Sequence, residues 1–224
     1  MLLRHVYLYL NLDEYPPSLA TPFGFQTRYV CNFLERRLRA QKFQSTGFSK
    51  ICVQGTGAPV DSCPILPEHA VVPKVAFDAG RYQSLGPGER HEFFIGMLVE
   101  GLEKCARHHR IPLKEFLASI DEFRHEGYEN EWVDQSKVLR PAGLRASLLC
   151  SLDADRFVLT LQLERTGTIV FSEPILETKP DELIFAYRFK TLVFDGESVV
   201  VNNKFDKPLF TVDVTTFRGE FGGG

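Results

Sequence analysis

Cysteine is scarce in this chain and shows no paired spacing. Five cysteines, Cys31, Cys52, Cys63, Cys105 and Cys150, are spread over 224 residues without a C-x-x-C among them. An odd, widely spaced set argues against a structural zinc site or a thioredoxin-like redox site, and points to free thiols in a reducing compartment. Long apolar runs are missing as well. Nowhere do about 18 apolar residues follow one another, so no membrane-spanning helix is expected. The opening Met1-Leu2-Leu3-Arg4-His5-Val6 lacks the charged head and apolar stretch of a signal peptide, and a cytoplasmic location is the expectation. Charge of one sign does not dominate: the net charge is −3. Such a balance does not point to nucleic acid or an anionic membrane as partner.

Catalytic signatures are equally sparse. No Gly-x-Ser-x-Gly elbow, no His-Glu-x-x-His helix, no Gly-x-x-x-x-Gly-Lys-Ser/Thr loop and no Gly-x-Gly-x-x-Gly turn occurs. Gln54-Gly55-Thr56-Gly57 follows a strand pattern but reads as a plain turn. Glu122-x-x-His125 has the spacing of one half of a di-iron carboxylate site, yet the second half is missing. Neither a metal nor a cofactor is expected. Arg107-His108-His109-Arg110, at the end of a helix pattern, fits a basic cap on the helix dipole. Asp153-Ala154-Asp155 fits a hairpin turn, where aspartate bonds its own backbone. Cys31 and Cys105 fall on apolar stripes and read as core thiols. Cys63, in Asp61-Ser62-Cys63-Pro64, is the one cysteine whose loop setting suggests reactivity.

What the chain does contain is an ordinary globular composition, 44% hydrophobic and 25% charged, with 19 phenylalanines to fill a core with large rings. Val6-Tyr7-Leu8-Tyr9-Leu10 reads as a buried opening strand, and Pro16-Pro17 and Pro22-Phe23-Gly24 as breaks after it. A helix is expected from Gln26 to Phe43. Its apolar stripe is Tyr29, Val30, Phe33, Leu34 and Leu38, and Arg28, Asn32, Glu35, Arg39 and Lys42 form a basic outer face. Strands follow at Phe48–Val53 and Val71–Phe77. Pro87-Gly88-Glu89 opens a helix carrying Phe94, Met97, Leu98, Gly101, Leu102 and Cys105, and Pro112 opens another. Beyond about Tyr128 the pattern is strand-like, with Phe157, Leu159, Leu161 and Leu163 on one face, and Phe185, Tyr187 and Phe189 alternating later. Asp195-Gly196, Asp153–Asp155, Thr166-Gly167 and Asn202-Asn203 supply turns. The expected fold is α+β: N-terminal helices packed on a largely antiparallel sheet formed mainly by the C-terminal half. Residues 1–221 read as one domain, and 222–224 as a flexible glycine tail.

Charge placement says more than charge total. Asp121, Glu122, Glu126, Glu129, Glu131 and Asp134 are opposed locally by Arg124 alone, and they surround Tyr128 and Trp132, the sole tryptophan. Arg28, Arg36, Arg37, Arg39, Lys42 and Lys50, opposed by Glu35, make a basic counterpart near the first helix. Carboxylates interleaved with rings suit a basic protein partner, charge steering the encounter and rings anchoring it. The candidate partner-binding residues are therefore Glu122, Glu126, Tyr128, Glu129, Glu131, Trp132 and Asp134.

Phe77-Asp78-x-x-x-Tyr82-x-x-Leu85, followed by Glu89 and a helix carrying Gly101-Leu102, resembles a pattern in bacterial immunity-type proteins of polymorphic toxin systems. The resemblance covers residues 75–125. It implies a non-enzymatic protein that occludes a toxin, such as a basic toxin domain, through a surface patch and without shared catalytic residues. Two alternatives stand beside it. One is an enzyme with a dispersed site in which His91 and His125 converge with carboxylates. The other is a homo-oligomeric assembly subunit that uses a strand edge.

Overall fold

The computed structural model describes residues 1–217. The glycine tail expected at 222–224 lies outside the described residues. The fold is α+β, with helices concentrated in the N-terminal half and an antiparallel sheet in the C-terminal half. Backbone contacts group the chain into two compact units, one spanning Met1–Asn130 and the other running from Glu131 onward. Among the described residues no helix is long and apolar enough to cross a membrane.

In the first unit the helices cover a sheet of their own. Strand β1 (His5–Leu10) and strand β2 (Lys50–Thr56) run parallel, joined through helix α1 (Pro17–Gln41). Two short strands, β4 (Ala70–Val71) and β5 (Lys74–Ala76), also pair parallel with β2, and β3 (Ile65–Leu66) pairs antiparallel with β4. Alternation within β1 buries Val6, Leu8 and Leu10. Helix α1 starts well before the expected Gln26. Pro17 fits the first turn, where a missing N–H costs nothing, and Pro22 forgoes one bond to the preceding turn without ending the helix.

The face of α1 read as a basic exterior is instead partly interior. Arg28, Asn32 and Glu35 are buried, Glu35 completely. The cause lies on the outer side of β1, which is an edge strand. The Val6 amide donates to Glu35 Oε1 at 3.0 Å, and the Thr27 hydroxyl donates to the Leu8 carbonyl at 2.8 Å. Alternate residues of a strand direct their N–H and C=O groups to the same side. Two α1 side chains thus replace a neighbouring strand and close an edge that would otherwise invite pairing. Arg28 then neutralises the carboxylate through paired bonds of 3.1 and 2.8 Å.

Helix α2 (Ala79–Ser84) is capped by Asp78, and α3 (Pro87–His108) and α4 (Leu113–His125) follow. Gly101 of α3 lies so near β2 that a Cβ there would sit 2.6 Å from both Val53 methyl carbons. Only glycine permits that approach. Edge-to-face ring contacts join Phe23 to Phe77, Tyr82 and Phe94, and Phe33 lies against Phe123 at 4.6 Å.

The second unit opens with an antiparallel meander, β6 (Glu131–Leu139), β7 (Leu144–Leu152), β8 (Phe157–Arg165) and β9 (Thr168–Thr178). Alternation is cleanest on β7 and β8, whose inward residues Leu148, Cys150, Leu159, Leu161 and Leu163 are buried. Asp153 Oδ1 accepts from the Asp155 and Arg156 amides, so the expected turn forms. A second antiparallel sheet holds β10 (Thr191–Phe194), β11 (Ser198–Asn202) and β12 (Pro208–Asp213). Asp195-Gly196 makes the β10–β11 turn, with Gly196 at φ 109°.

The alternation of Phe185, Tyr187 and Phe189 does not make a strand. Residues Glu182–Phe185 form a short helix, α5, followed by a 3₁₀ turn at Ala186–Arg188. Asp181 accepts from the Leu183 and Ile184 amides and nucleates that turn. Phe189 alone is buried, stacked 5.5 Å from Phe157.

Candidate functional site

The acidic run is divided by the unit boundary. Glu122, Glu126, Tyr128 and Glu129 belong to the first unit, whereas Glu131, Trp132 and Asp134 lie on β6 of the second. On β6, Glu131 and Asp134 are exposed, and the half-buried Trp132 ring lies 6.2 Å from buried Phe157. The residues the structure brings together are those at the end of α4.

That cluster is built outward from α1. Arg37 reaches Glu122 at 2.6 Å and Glu126 at 3.5 Å, so one guanidinium from the expected basic region holds two carboxylates of the expected acidic one. On the other side of α4, Arg124 bonds Glu92 of α3 through two nitrogens, at 2.9 and 2.8 Å, and Asp121 at 3.1 Å. Parallel N–H bonds to one carboxylate fix orientation as well as distance. They hold the Glu92 carboxyl below its usual range, together with the hydroxyl of Tyr128, which donates to Glu92 at 2.9 Å.

Tyr128 is positioned by backbone and ring. Helix α4 ends through Gly127 (φ 69°) and Tyr128 (φ 64°), both in the left-handed region. For tyrosine that conformation is uncommon and needs tertiary support. Its ring stacks on His91 with 4.4 Å between centroids and a 5° angle between planes. His91 Nδ1 lies 2.5 Å from the hydroxyl of buried Tyr29, and burial lowers the His91 pKa, favouring the neutral ring. Asn130 secures the far side of the turn. It is buried, donates to the Tyr29 carbonyl at 2.9 Å and to Asn32 at 3.1 Å, and accepts from Arg36.

The surface remains acidic after these pairings. Glu92, Asp121, Glu122, Glu126 and Glu129 share it with two guanidinium groups, Arg37 and Arg124. Beside it a cleft of about 300 Å³ runs along α3, with Asp78, Glu92 and Glu100 around Phe93, Gly96 and Met97. Arg81 also lines the cleft, its guanidinium 5.5 Å from the centre of the Phe93 ring. Glu92 belongs to both the surface and the cleft.

Other sequence candidates fall elsewhere. His125 Nδ1 lies 3.2 Å from the carbonyl of Asp121 in its own helix, while His91 meets Tyr29 and Tyr128. No group of three or more potential metal ligands is gathered among the described residues. The Gln54–Gly57 segment ends β2, where the Glu14 carboxylate accepts from the Thr56 hydroxyl (2.5 Å) and the Gly57 amide (2.6 Å). Cys63 is buried rather than displayed on its loop.

Arg37, Glu92 and Asn130 were not visible as site residues in the sequence. Glu92 at least carries a signal: it is an exposed acid on α3, whose exposed side also holds Glu89, Glu100 and Glu103. Asn130 carries none, since its role depends on backbone atoms of α1 about a hundred positions earlier. No protein-family model, curated protein or solved structure matches this chain.

Proposed function

We propose that the chain is a non-enzymatic protein-binding module whose acidic surface at the end of α4 docks on a basic protein surface. A toxin domain occluded in the manner of an immunity protein is the partner class that suits it. The observation that supports this reading is the organisation of the surface itself. Carboxylates outnumber cations there, yet each of Glu92, Asp121, Glu122 and Glu126 is held by an arginine, and Tyr128 is held on His91. Groups fixed before contact lose little side-chain entropy on binding, so more of their interaction becomes affinity. The remaining negative field steers a basic partner, and the half-exposed tyrosine provides a ring at the centre of the patch. The adjoining cleft of about 300 Å³, lined by Asp78, Glu92 and Glu100 together with Phe93, Met97 and one cation, Arg81, has room for one lysine or arginine side chain.

The test is a charge reversal. Glu126→Lys/Glu129→Lys gives up the 3.5 Å Arg37–Glu126 contact but replaces no member of the Glu122–Arg37 or Glu92–Arg124 pairs. Association with a basic partner is expected to slow at least about tenfold at low salt, with a smaller difference at high salt. An unchanged association rate would place the contact elsewhere.

A further inference from the structure

The amino ends of β1 and β2 frame a cleft of about 420 Å³, lined by Met1, Leu2, Arg4, His5, Ser49 and Lys50. Backbone bonds fix its walls on both sides. Leu2 bridges antiparallel to Gln44, the Leu3 amide donates to the Phe43 carbonyl at 3.0 Å, and the Ser45 amide donates to the Met1 carbonyl at 2.8 Å. The Arg4 amide donates to the Ser49 carbonyl at 2.9 Å, and β1 pairs with β2 from His5 and Lys50 onward. Two separate stretches of chain thus bring Arg4, His5, Ser49 and Lys50 together.

The lining is chemically one-sided. Among the described residues no carboxylate lines the cleft. Arg28, Arg37, Arg107 and Arg124 are each paired with an acid. By contrast, the Arg4 guanidinium, the Lys50 ammonium and the Ser49 hydroxyl have no hydrogen-bond or ion-pair partner among the described residues. His5 is held in place. Its ring stacks on Tyr7 with 5.9 Å between centroids, and its Nδ1 lies 3.5 Å from Glu35 Oε1. Its other nitrogen, Nε2, has no partner among the described residues.

We infer that this cleft binds a phosphate monoester of a small organic molecule, with the phosphate between Arg4 and Lys50. A guanidinium presents paired N–H donors to two phosphate oxygens, an ammonium adds a compact charge, and the Ser49 hydroxyl donates to a third oxygen. Nε2 of a neutral His5 accepts the proton that a phosphate monoanion still carries near neutral pH, a contact that a carboxylate does not offer. The cleft exceeds what a phosphate alone requires and lies within the range of small-molecule sites, about 300–1,000 Å³. The organic part of the ester lies against Met1 and Leu2. The site shares no residue with the acidic surface at the end of α4, so neither reading depends on the other.

The experiment titrates the full, ¹⁵N-labelled chain with phenyl phosphate, inorganic phosphate and benzoate, in phosphate-free buffer at fixed ionic strength, and follows amide shifts by NMR. Phenyl phosphate should give saturable shifts centred on Arg4, His5, Ser49 and Lys50. Inorganic phosphate should bind at the same residues at least about threefold more weakly, and benzoate at least about tenfold more weakly. Arg4→Gln and Lys50→Gln should each weaken phenyl phosphate about tenfold, through loss of a charge-assisted contact, whereas Lys114→Gln on α4 should not change it. Circular dichroism establishes that each variant is folded. No saturable shift at these residues with either phosphate up to about 10 mM would overturn the inference. So would benzoate bound as tightly as phenyl phosphate, or an Arg4→Gln/Lys50→Gln variant that binds like the wild type. Equal affinity for inorganic phosphate would overturn the assignment to an ester.

Discussion

Replacing Glu35 by alanine tests the reading of α1 as a helix that closes a sheet edge. The residue is fully buried and carries at least three bonds: the Val6 amide and two from Arg28. Alanine strands the Val6 amide and leaves Arg28, a residue only 4% exposed, without its carboxylate. Removing one member of a buried ion pair costs about 3–5 kcal/mol, a large share of the roughly 5–15 kcal/mol that holds a domain together. With a slope of about 2 kcal/mol per molar urea, the midpoint should fall by about 2 M.

Two optical probes follow the two units separately. Far-UV circular dichroism is dominated by α1, α3 and α4 of the first unit, whereas the single tryptophan, Trp132, lies on β6 of the second. The helical transition should move more than the fluorescence transition. Removing both charges, as in Arg28→Met/Glu35→Leu, should recover at least half of the loss, because a buried apolar pair replaces a buried ionic one at little cost. Acid gives an independent check. Burial raises the Glu35 pKa, but the His5 ring nitrogen 3.5 Å away, the Arg28 hydrogen bonds and the Arg28 charge together lower it by more, leaving it below its ordinary 4.5. The folded state therefore binds fewer protons at this group than the unfolded state does. Its contribution is complete above about pH 4.5 and is lost as pH falls through the lower folded value. The alanine variant should lack this part of the acid limb. A midpoint shift below about 0.5 M, or a double variant less stable than the single one, would refute the reasoning.

Gly101→Ala should cost about 1–3 kcal/mol, because the new methyl meets a branched, stiff Val53 side chain; thermal denaturation followed by circular dichroism measures it. Asn130→Ala should free the Tyr128 turn, lowering hydrogen-exchange protection at Tyr128 and Glu129, because it removes the bonds to Tyr29, Asn32 and Arg36. Asp153→Ala should weaken the β7–β8 hairpin by about 1 kcal/mol, read in urea by Trp132 fluorescence, since two amide bonds are lost.

The legible parts of this fold are those whose physics is local. The turns at Asp153 and Asp195, the alternation on β7 and β8, and the start of α3 at Pro87 rest on neighbouring residues, and each was visible in the sequence. The buried polar face of α1 was not, because Glu35 answers an amide 29 positions away. Nor does the period of a helix say whether its polar side meets water or the unpaired edge of a strand. The helix at Glu182–Phe185 shows the opposite failure: a short alternating run imitates a strand, and one capping aspartate decides against it. In the candidate site the acidic run was legible as composition. Its organisation depends on Arg37 and Glu92, which reach it from separate helices.

The most direct test of the binding reading is a pull-down from native cells at low and high salt. It compares the wild-type chain with Glu126→Lys/Glu129→Lys and with a charge reversal on β9, Glu177→Lys. One stoichiometric partner with a basic surface is expected, weakened by salt, lost with the α4-end variant and retained with the β9 variant. Its capture should be reproduced with the purified partner. A partner held equally by all three chains, or recovery of the wild-type chain with no partner at low salt, would contradict the claim that this acidic surface is a docking site.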